Sequence, residues 1–178
     1  MQPADFLRFY AERFDTVELN STGYRLPSAD QFRRWADAVP DGFEFSVKLG
    51  LTRLDRVTTF LERVVSLGDR LGPVRIVYEG PYDGGTLSFV TGSTPDDVKL
   101  AWDFRHPSWD GVDGVVRVNE TAAEPFRYLR LREPPYTDDE LRTFAGTIRD
   151  PAYVYVRHED EPTAPHTAAR LREYLEGG

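Results

Sequence analysis

The sequence contains no cysteine, one methionine and only two lysines, and it has no long apolar run. Without cysteine, the chain has no disulfide, no thiolate nucleophile and no thiolate metal ligand. Its apolar stretches fall well short of the roughly 20 residues that cross a bilayer, so no membrane partner or span is expected. The first residues lack the basic start and apolar core of a signal peptide, which predicts a cytoplasmic location.

The chain is acidic, and its acidity is unevenly placed. The formal net charge is −8, and residues 76–178 carry 19 acidic against 11 basic side chains. An acidic chain is a poor candidate for non-specific binding to nucleic acid or membranes, so a nucleic-acid partner is not expected. The bases are almost all arginine, however, and arginine forms bidentate contacts with carboxylate and phosphate. The composition is therefore still compatible with a local pocket of arginine side chains that binds an anion.

The hydrophobic pattern alternates between strands and helices, which predicts parallel strands with helices outside them. A length of 178 residues suits one domain, and we expect residues 1–178 to form one. The fold class predicted is α/β, a TIM-barrel-like (β/α) fold. The segment from 80 to 95 is rich in Gly, Pro, Thr and Ser, and we interpret it as a loop with at most a short strand at 87–90. Seven strands are predicted, at 16–20, 43–48, 74–79, 99–105, 115–119, 126–132 and 152–158.

The segment with the most chemistry lies at the end of the strand 99–105. An acid, a guanidinium, an imidazole, a hydroxyl and an indole fall within the seven residues from Asp103 to Trp109. Strand alternation places Asp103 and Arg105 on one face, and Pro107 biases the preceding His106 towards an extended or turn conformation. In a (β/α) barrel the site is built at the carboxyl ends of the strands. Polar residues occur near the ends of the other predicted strands too: Glu18, Asn20, Lys48, Glu79, Asn119, Arg130, Arg132 and Arg157.

Several stretches resemble one known family, the YecE-like proteins (domain of unknown function 72), which are TIM-barrel proteins without an established activity. The resemblance is carried mainly by Val17-Glu18-Leu19-Asn20-Ser21-Thr22-Gly23-Tyr24-Arg25-Leu26-Pro27 and Phe104-Arg105-His106-Pro107-Ser108-Trp109. Shorter matches lie at 45–48, 67–73 and 128–131. The resemblance implies a single YecE-like domain and a TIM-barrel fold.

The sequence also departs from this family. It lacks the Gly-Thr-Ser-Gly-Trp strand with which the family begins, and the connections after Val90 and Trp109 are too short for the usual barrel helices. We therefore expect an incomplete barrel, with about seven strands and the first one missing. A homodimer that completes the barrel is expected, since it would cover the exposed edge strand. Family positions are also changed at Gly23, Val77, Arg132, Arg157 and His158.

The candidate site residues each have a functional and a structural interpretation. As catalytic candidates, His106 and Glu18 could move a proton and Asp103 could assist. In the structural alternatives, His106 forms a hydrogen bond with the backbone, Glu18 belongs to a polar layer inside the barrel, and Asp103 forms an ion pair with Arg105. Lys48 could form a Schiff base or bind phosphate, and its structural alternative is an ordinary ion pair with Glu18. The substrate-binding candidates are Asn20, Tyr24, Lys48, Arg105, Trp109 and Arg130, where the two aromatic rings would cover the ligand unless they belong to the core.

No cofactor or metal is predicted. The three histidines show no HExxH-like spacing, and the chain has no P-loop, GxGxxG or GxSxG motif. The leading hypothesis is a protein that binds or transforms an anionic small molecule, phosphorylated or carboxylated, at the carboxyl ends of the strands. The alternatives are nucleic-acid processing, by analogy with other TIM-barrel enzymes, and a non-catalytic interaction module.

Overall fold

Parallel strands joined by helices make up the structure, a computed structural model that describes residues 3–20, 22, 26–121, 124–133, 135–149, 151–157 and 163–177. It divides into two compact units, Met1–Gly114 and Val115–Gly178. None of the helices described is long and apolar enough to cross a membrane.

The first unit contains a four-stranded parallel sheet in the order β1-β2-β3-β4. Helix α1 precedes the sheet, and α2, α3 and α4 connect successive strands. A 3-10 segment, Val65–Arg70, continues α3 and bends at Gly68, whose φ of 56° favours glycine. The elements are α1 Pro3–Ala11, β1 Thr16–Leu19, α2 Ala29–Asp37, β2 Glu44–Gly50, α3 Asp55–Val64, β3 Leu71–Tyr78, α4 Gly84–Ser93 and β4 Leu100–Phe104.

Alternation along these strands separates an apolar face from a polar one. Phe45 and Val47 of β2, Val74 and Ile76 of β3, and Trp102 of β4 are all buried. Helix α3 contributes a buried stripe to the same unit, formed by Val57, Phe60, Leu61 and Val64. The opposite face carries the polar side chains Glu18, Ser46, Arg75 and Asp103, together with the apolar Val77 and Ala101. The apolar face thus forms the core of the first unit, while the other face holds the charged side chains.

The second unit contains two parallel strands and two helices. Strand β5 (Arg127–Leu131) pairs with β6 (Ala152–Val156), and α5 (Asp138–Thr147) connects them before α6 (Ala164–Glu176). A core of Leu129, Leu131, Leu141, Ala145, Ile148 and Leu171 joins the strands to the helices. Thr137 and Glu140 form a capping box at the start of α5.

The structure confirms the α/β class and the parallel strands but differs from the sequence prediction in two segments. Residues 84–93 form a helix, not a loop with a short strand, because Asp83 caps it by accepting the N–H groups of Gly85 and Thr86. The predicted strand 115–119 is reduced to an isolated bridge between Val118 and Tyr128. The described residues therefore contain six strands in two sheets, fewer than the seven predicted, and they form no closed barrel.

Candidate functional site

The candidate site lies at the carboxyl ends of the four strands of the first unit. Parallel pairing places these ends along one edge of the sheet, where β1 runs into Asn20 and β4 runs into Arg105. Arg105 is also tied to the neighbouring strand, since its backbone N–H donates to the carbonyl of Tyr78. This edge corresponds to the one at which the polar residues were expected.

An arginine that the sequence analysis did not select, Arg75, connects the polar residues beneath this edge. Its side chain is 2% exposed in the middle of β3. Nε donates to Glu18, one terminal nitrogen donates to Asp103 at 2.6 Å, and the other donates to Asn20 at 3.1 Å. Asn20 also donates to the second carboxylate oxygen of Glu18 at 3.2 Å. Three strands are thereby joined through one guanidinium.

Asp103 extends this network towards solvent. The carboxylate is 4% exposed, and its Oδ2 accepts from Arg75 and also from Arg105 at 2.9 Å. Glu18 is buried to the same extent, at 4%. Two buried carboxylates therefore face two guanidiniums, which balances their charges, and each buried ion has the hydrogen-bonded partner that makes its desolvation tolerable.

Arg105 is the charged member of the network that reaches the surface. Its side chain is 40% exposed, although its carboxylate partner Asp103 is buried. Asp103 therefore anchors one side of the guanidinium, and part of the group remains in contact with solvent. An anchored, exposed guanidinium is suited to bind a carboxylate or phosphate through paired N–H groups.

The loop after β4 is folded against the loop after β3. His106 precedes a short 3-10 turn, Pro107–Trp109, and its Nδ1 accepts from the backbone N–H of Ser108 at 3.2 Å. The Ser108 hydroxyl lies 2.8 Å from the same Nδ1 and accepts from the backbone N–H of Tyr82 at 2.7 Å. His106 remains exposed, so it caps the turn while it faces solvent.

Trp109 lies beneath this loop. The ring is fully buried, its Nε1 donates to the carbonyl of Gly80 at 3.0 Å, and it stacks on Phe104 with centroids 4.0 Å apart. Tyr78 and Tyr82 meet it edge-on at 5.6 and 4.8 Å. In this arrangement Trp109 belongs to the core, the structural alternative to covering a ligand, and it supports the loop that carries His106.

The remaining predicted residues are placed as follows. Lys48 is half-buried on β2, and its carbonyl accepts from the Thr22 hydroxyl at 2.7 Å. Arg130 belongs to β5 of the second unit, where its backbone N–H donates to the Asn119 side chain at 2.6 Å. Tyr24, like His158, lies outside the described residues. Glu18, Asn20, Asp103 and Arg105 are thus brought into one network, which extends at Arg105 into the loop of His106.

No group of three or more His, Asp or Glu side chains that could hold a metal ion occurs in the described part of the chain. The carboxylates nearest the edge, Glu18 and Asp103, instead accept from arginine and asparagine. These side chains therefore form an ion network of the protein's own.

A family model described as "Protein of unknown function DUF72" matches residues 1–123. The chain belongs to the DUF72 family. The match covers β1 to β4 and the whole network at their carboxyl ends. The resemblance inferred from residues 17–27 and 104–109 is thus confirmed.

Curated relatives of this DUF72 chain include the UPF0759 protein YecE of Escherichia coli. The chain is 30% identical to the YecE proteins of strains K12 and O157:H7 over 115 residues, which is 58% of this chain and 42% of each relative. It therefore aligns with less than half the length of these relatives.

Two crystal structures of a DUF72 family protein from Enterococcus faecalis V583 show the same fold. The structure at 2.52 Å has a TM-score of 0.78 at 16% identity and covers 97% of this chain and 94% of its own. The one at 3.10 Å has a TM-score of 0.77 at 14% identity, with coverages of 96% and 88%. At this identity the similarity concerns the fold alone.

Proposed function

We propose that this DUF72 protein binds an anionic small molecule, phosphorylated or carboxylated, at the carboxyl ends of β1 to β4. The observation that carries the proposal is the position of Arg105, which is 40% exposed and anchored by the buried Asp103. A guanidinium held in this way loses little side-chain freedom when a ligand binds, which lowers the entropic cost of binding.

The buried network explains how Arg105 keeps this position. Asp103 is itself fixed by Arg75, and Arg75 is fixed by Glu18 and Asn20. In the proposal, Glu18 and Asp103 therefore act by positioning the guanidinium, and Asn20 completes the support. Arg105 and the exposed His106 are the residues that contact the anion.

We also propose that the four-stranded parallel sheet of the first unit represents part of a (β/α) barrel. The consecutive order of β1 to β4 supports this, because a doubly wound sheet would reverse its strand order at a switch point. A homodimer is proposed on the basis of β1, which pairs only with β2 among the described strands. Sedimentation equilibrium would test the dimer. A monomeric protein at concentrations of about 50–100 µM would exclude a stable dimer.

The binding proposal is tested by thermal unfolding with inorganic phosphate, glucose 6-phosphate, AMP, citrate and a short oligonucleotide. A ligand present at 100 times its dissociation constant stabilises the native state by about 2.7 kcal/mol. We expect a phosphorylated or carboxylated compound to raise the midpoint of the wild type and to have little effect on Arg105→Ala. The matched control is Arg33→Ala, which removes the same charge from an exposed pair with Asp30 on α2.

Three outcomes contradict the proposal. Stabilisation of Arg105→Ala equal to that of the wild type would place the ligand elsewhere, and the absence of any stabilising anion would remove the support for anion binding. Stabilisation by the oligonucleotide alone, lost steeply as salt is raised, would favour nucleic-acid binding instead.

A further inference from the structure

Hydrogen bonds in the loop after β4 determine the tautomer of His106, that is, which of its two ring nitrogens carries the hydrogen. A backbone amide can only donate a hydrogen bond, and the N–H of Ser108 points at Nδ1 of His106 over 3.2 Å. Nδ1 must therefore offer a lone pair. In a neutral imidazole with a free Nδ1, the proton lies on Nε2.

The Ser108 hydroxyl supports the same assignment. Its oxygen accepts from the backbone N–H of Tyr82 at 2.7 Å, which leaves its own hydrogen available for a second partner. Nδ1 of His106 lies 2.8 Å away and receives that hydrogen. The bonds therefore run in one direction, from the Tyr82 amide through the Ser108 hydroxyl to the imidazole.

This chain of bonds leaves Nε2–H as the polar group that His106 presents to the outside. His106 is exposed, and the structure gives its Nε2 no acceptor among the described residues. It follows Arg105 directly in the sequence, at the edge of the sheet where we place the anion.

We propose that His106 is a neutral hydrogen-bond donor whose Nε2–H is fixed by Ser108 and presented to the ligand, and that it does not act as a general base. Ser108 is then a positioning residue, since it acts through the imidazole. The inference deepens the binding site proposed above and rests on it for the identity of the acceptor, which is an oxygen of the carboxylate or phosphate.

Nitrogen-15 NMR of the imidazoles in the ligand-free protein tests the tautomer without any ligand. At pH about 8, well above the usual histidine pKa, we expect His106 to show one Nε2–H tautomer with an unprotonated Nδ1. His166 near the start of the last helix is the internal control, because it is exposed and none of the described residues forms a hydrogen bond with its ring. It should show the averaged shifts of a mixture. An Nδ1–H tautomer at His106, or shifts like those of His166, would overturn the inference.

Two substitutions at Ser108 test its positioning role. In Ser108→Ala the imidazole loses one of its two fixed donors, and we expect the His106 shifts to move towards those of His166. Ser108→Thr keeps the hydroxyl and should retain the wild-type shifts. Unchanged His106 shifts in Ser108→Ala would exclude the Ser108 hydroxyl as a group that fixes the tautomer, because the backbone N–H of residue 108 is present in both proteins.

Two substitutions at His106 separate its role in capping the 3-10 turn from its role as a hydrogen-bond donor to the ligand. Asparagine places Oδ1 where Nδ1 lies and keeps the cap without the Nε2–H, whereas glutamine reaches the position of Nε2 with an N–H but leaves the turn uncapped. With inorganic phosphate as the probe, His106→Asn should weaken binding about 10-fold or more and His106→Gln should weaken it less. The reverse order would assign His106 to the turn alone.

The two proposals fail separately. If phosphate and the other anions leave the wild type unaffected while His106 shows the Nε2–H tautomer, the binding proposal fails and the fixed donor stands. If an anion binds through Arg105 while His106 shows the other tautomer, the site stands and its donor is wrong.

Discussion

The two units of the chain use their strands in different ways. In the first unit, the strands carry Glu18, Arg75 and Asp103 into positions no more than 4% exposed. In the second unit, Leu129 and Leu131 of β5 join an apolar core, and the buried Arg127 at the start of β5 pairs with Glu124, whose side chain is 75% exposed. Burying ions costs free energy that an apolar core does not pay, and paired ions recover it only with good geometry. Among the described residues, the first unit is therefore the one that buries two carboxylates together with their guanidinium partner, at a cost in stability, to position charge.

The largest effect is expected at Arg75. The change Arg75→Met keeps much of the side-chain volume but removes the guanidinium, which leaves Glu18 and Asp103 buried without their shared partner. Removing one partner of a buried ion network costs about 3–5 kcal/mol. Urea unfolding, followed by circular dichroism, would show the loss as a lower midpoint with an unchanged slope.

A triple variant is the control for this prediction. Adding Glu18→Gln and Asp103→Asn to Arg75→Met removes the stranded charges, and the triple variant should be more stable than the single one. If Arg75→Met alone costs less than about 1 kcal/mol, the network has the weight of a surface ion pair and the contrast between the two units disappears.

A smaller or similar effect is expected in the apolar unit from Leu141→Ala. Leu141 is fully buried in the core between β5, α5 and α6. Truncation of a buried leucine costs about 2–5 kcal/mol through lost burial and the cavity left behind. Hydrogen exchange should show faster opening of α5 and α6, while the amides of β2 and β3 keep their protection.

Phe144→Leu is the milder companion change, because Phe144 lies at the edge of the same core. It should give the same pattern of exchange with a smaller amplitude. Equal loss of protection in both units would mean that the chain opens as one cooperative body, and the two regions could then not be compared by their separate stabilities.

The same contrast explains how much of the candidate site could be predicted from the sequence. Asp103 and Arg105 were found because two charges follow an apolar strand at alternate positions. Arg75 was missed because it was treated as an ordinary member of the strand Val74 to Glu79. A single charge flanked by Val74 and Ile76 inside a strand is nevertheless a signal, since a buried arginine requires carboxylate partners.

The interactions of His106 with Ser108 and Tyr82 could not be predicted in the same way. Ser108 lies close to His106 in the sequence, and Pro107 between them predicts a turn. The contribution of Tyr82, however, depends on how the loops after β3 and β4 pack against each other. The sequence also failed to predict α4. Gly84, Gly85 and Gly92 lower its helix propensity, while its capping residue and its packing override that tendency.

The smallest expected effect concerns the cap of α4 and the pH dependence of stability. Hydrogen bonds from the Thr86 hydroxyl, the Thr86 N–H and the Gly85 N–H lower the pKa of Asp83 below the usual value of an aspartate. A carboxyl with a lowered pKa in the folded state binds its proton more readily when unfolded, so it stabilises the fold above the unfolded pKa and loses that contribution as the pH falls through the folded pKa. The contribution should thus be present at pH 7 and should be lost as the pH falls below the usual aspartate pKa of about 4.

Asp83→Asn tests this contribution, because asparagine caps a helix without a titrating group. The difference in midpoint temperature between the wild type and Asp83→Asn should decrease as the pH falls below the usual aspartate pKa of about 4. Asp97→Asn removes the same charge from the turn after α4 without touching the cap. Glu140→Gln gives the counterpart in the second unit, where the Thr137 N–H and hydroxyl lower the pKa of Glu140. If Asp83 and Glu140 both lose their stabilising contribution in the same pH interval, the sensitivity to acid is a property of helix capping in either unit. If only Asp83 loses its contribution, the sensitivity to acid is a property of the loops at the carboxyl ends of β1 to β4.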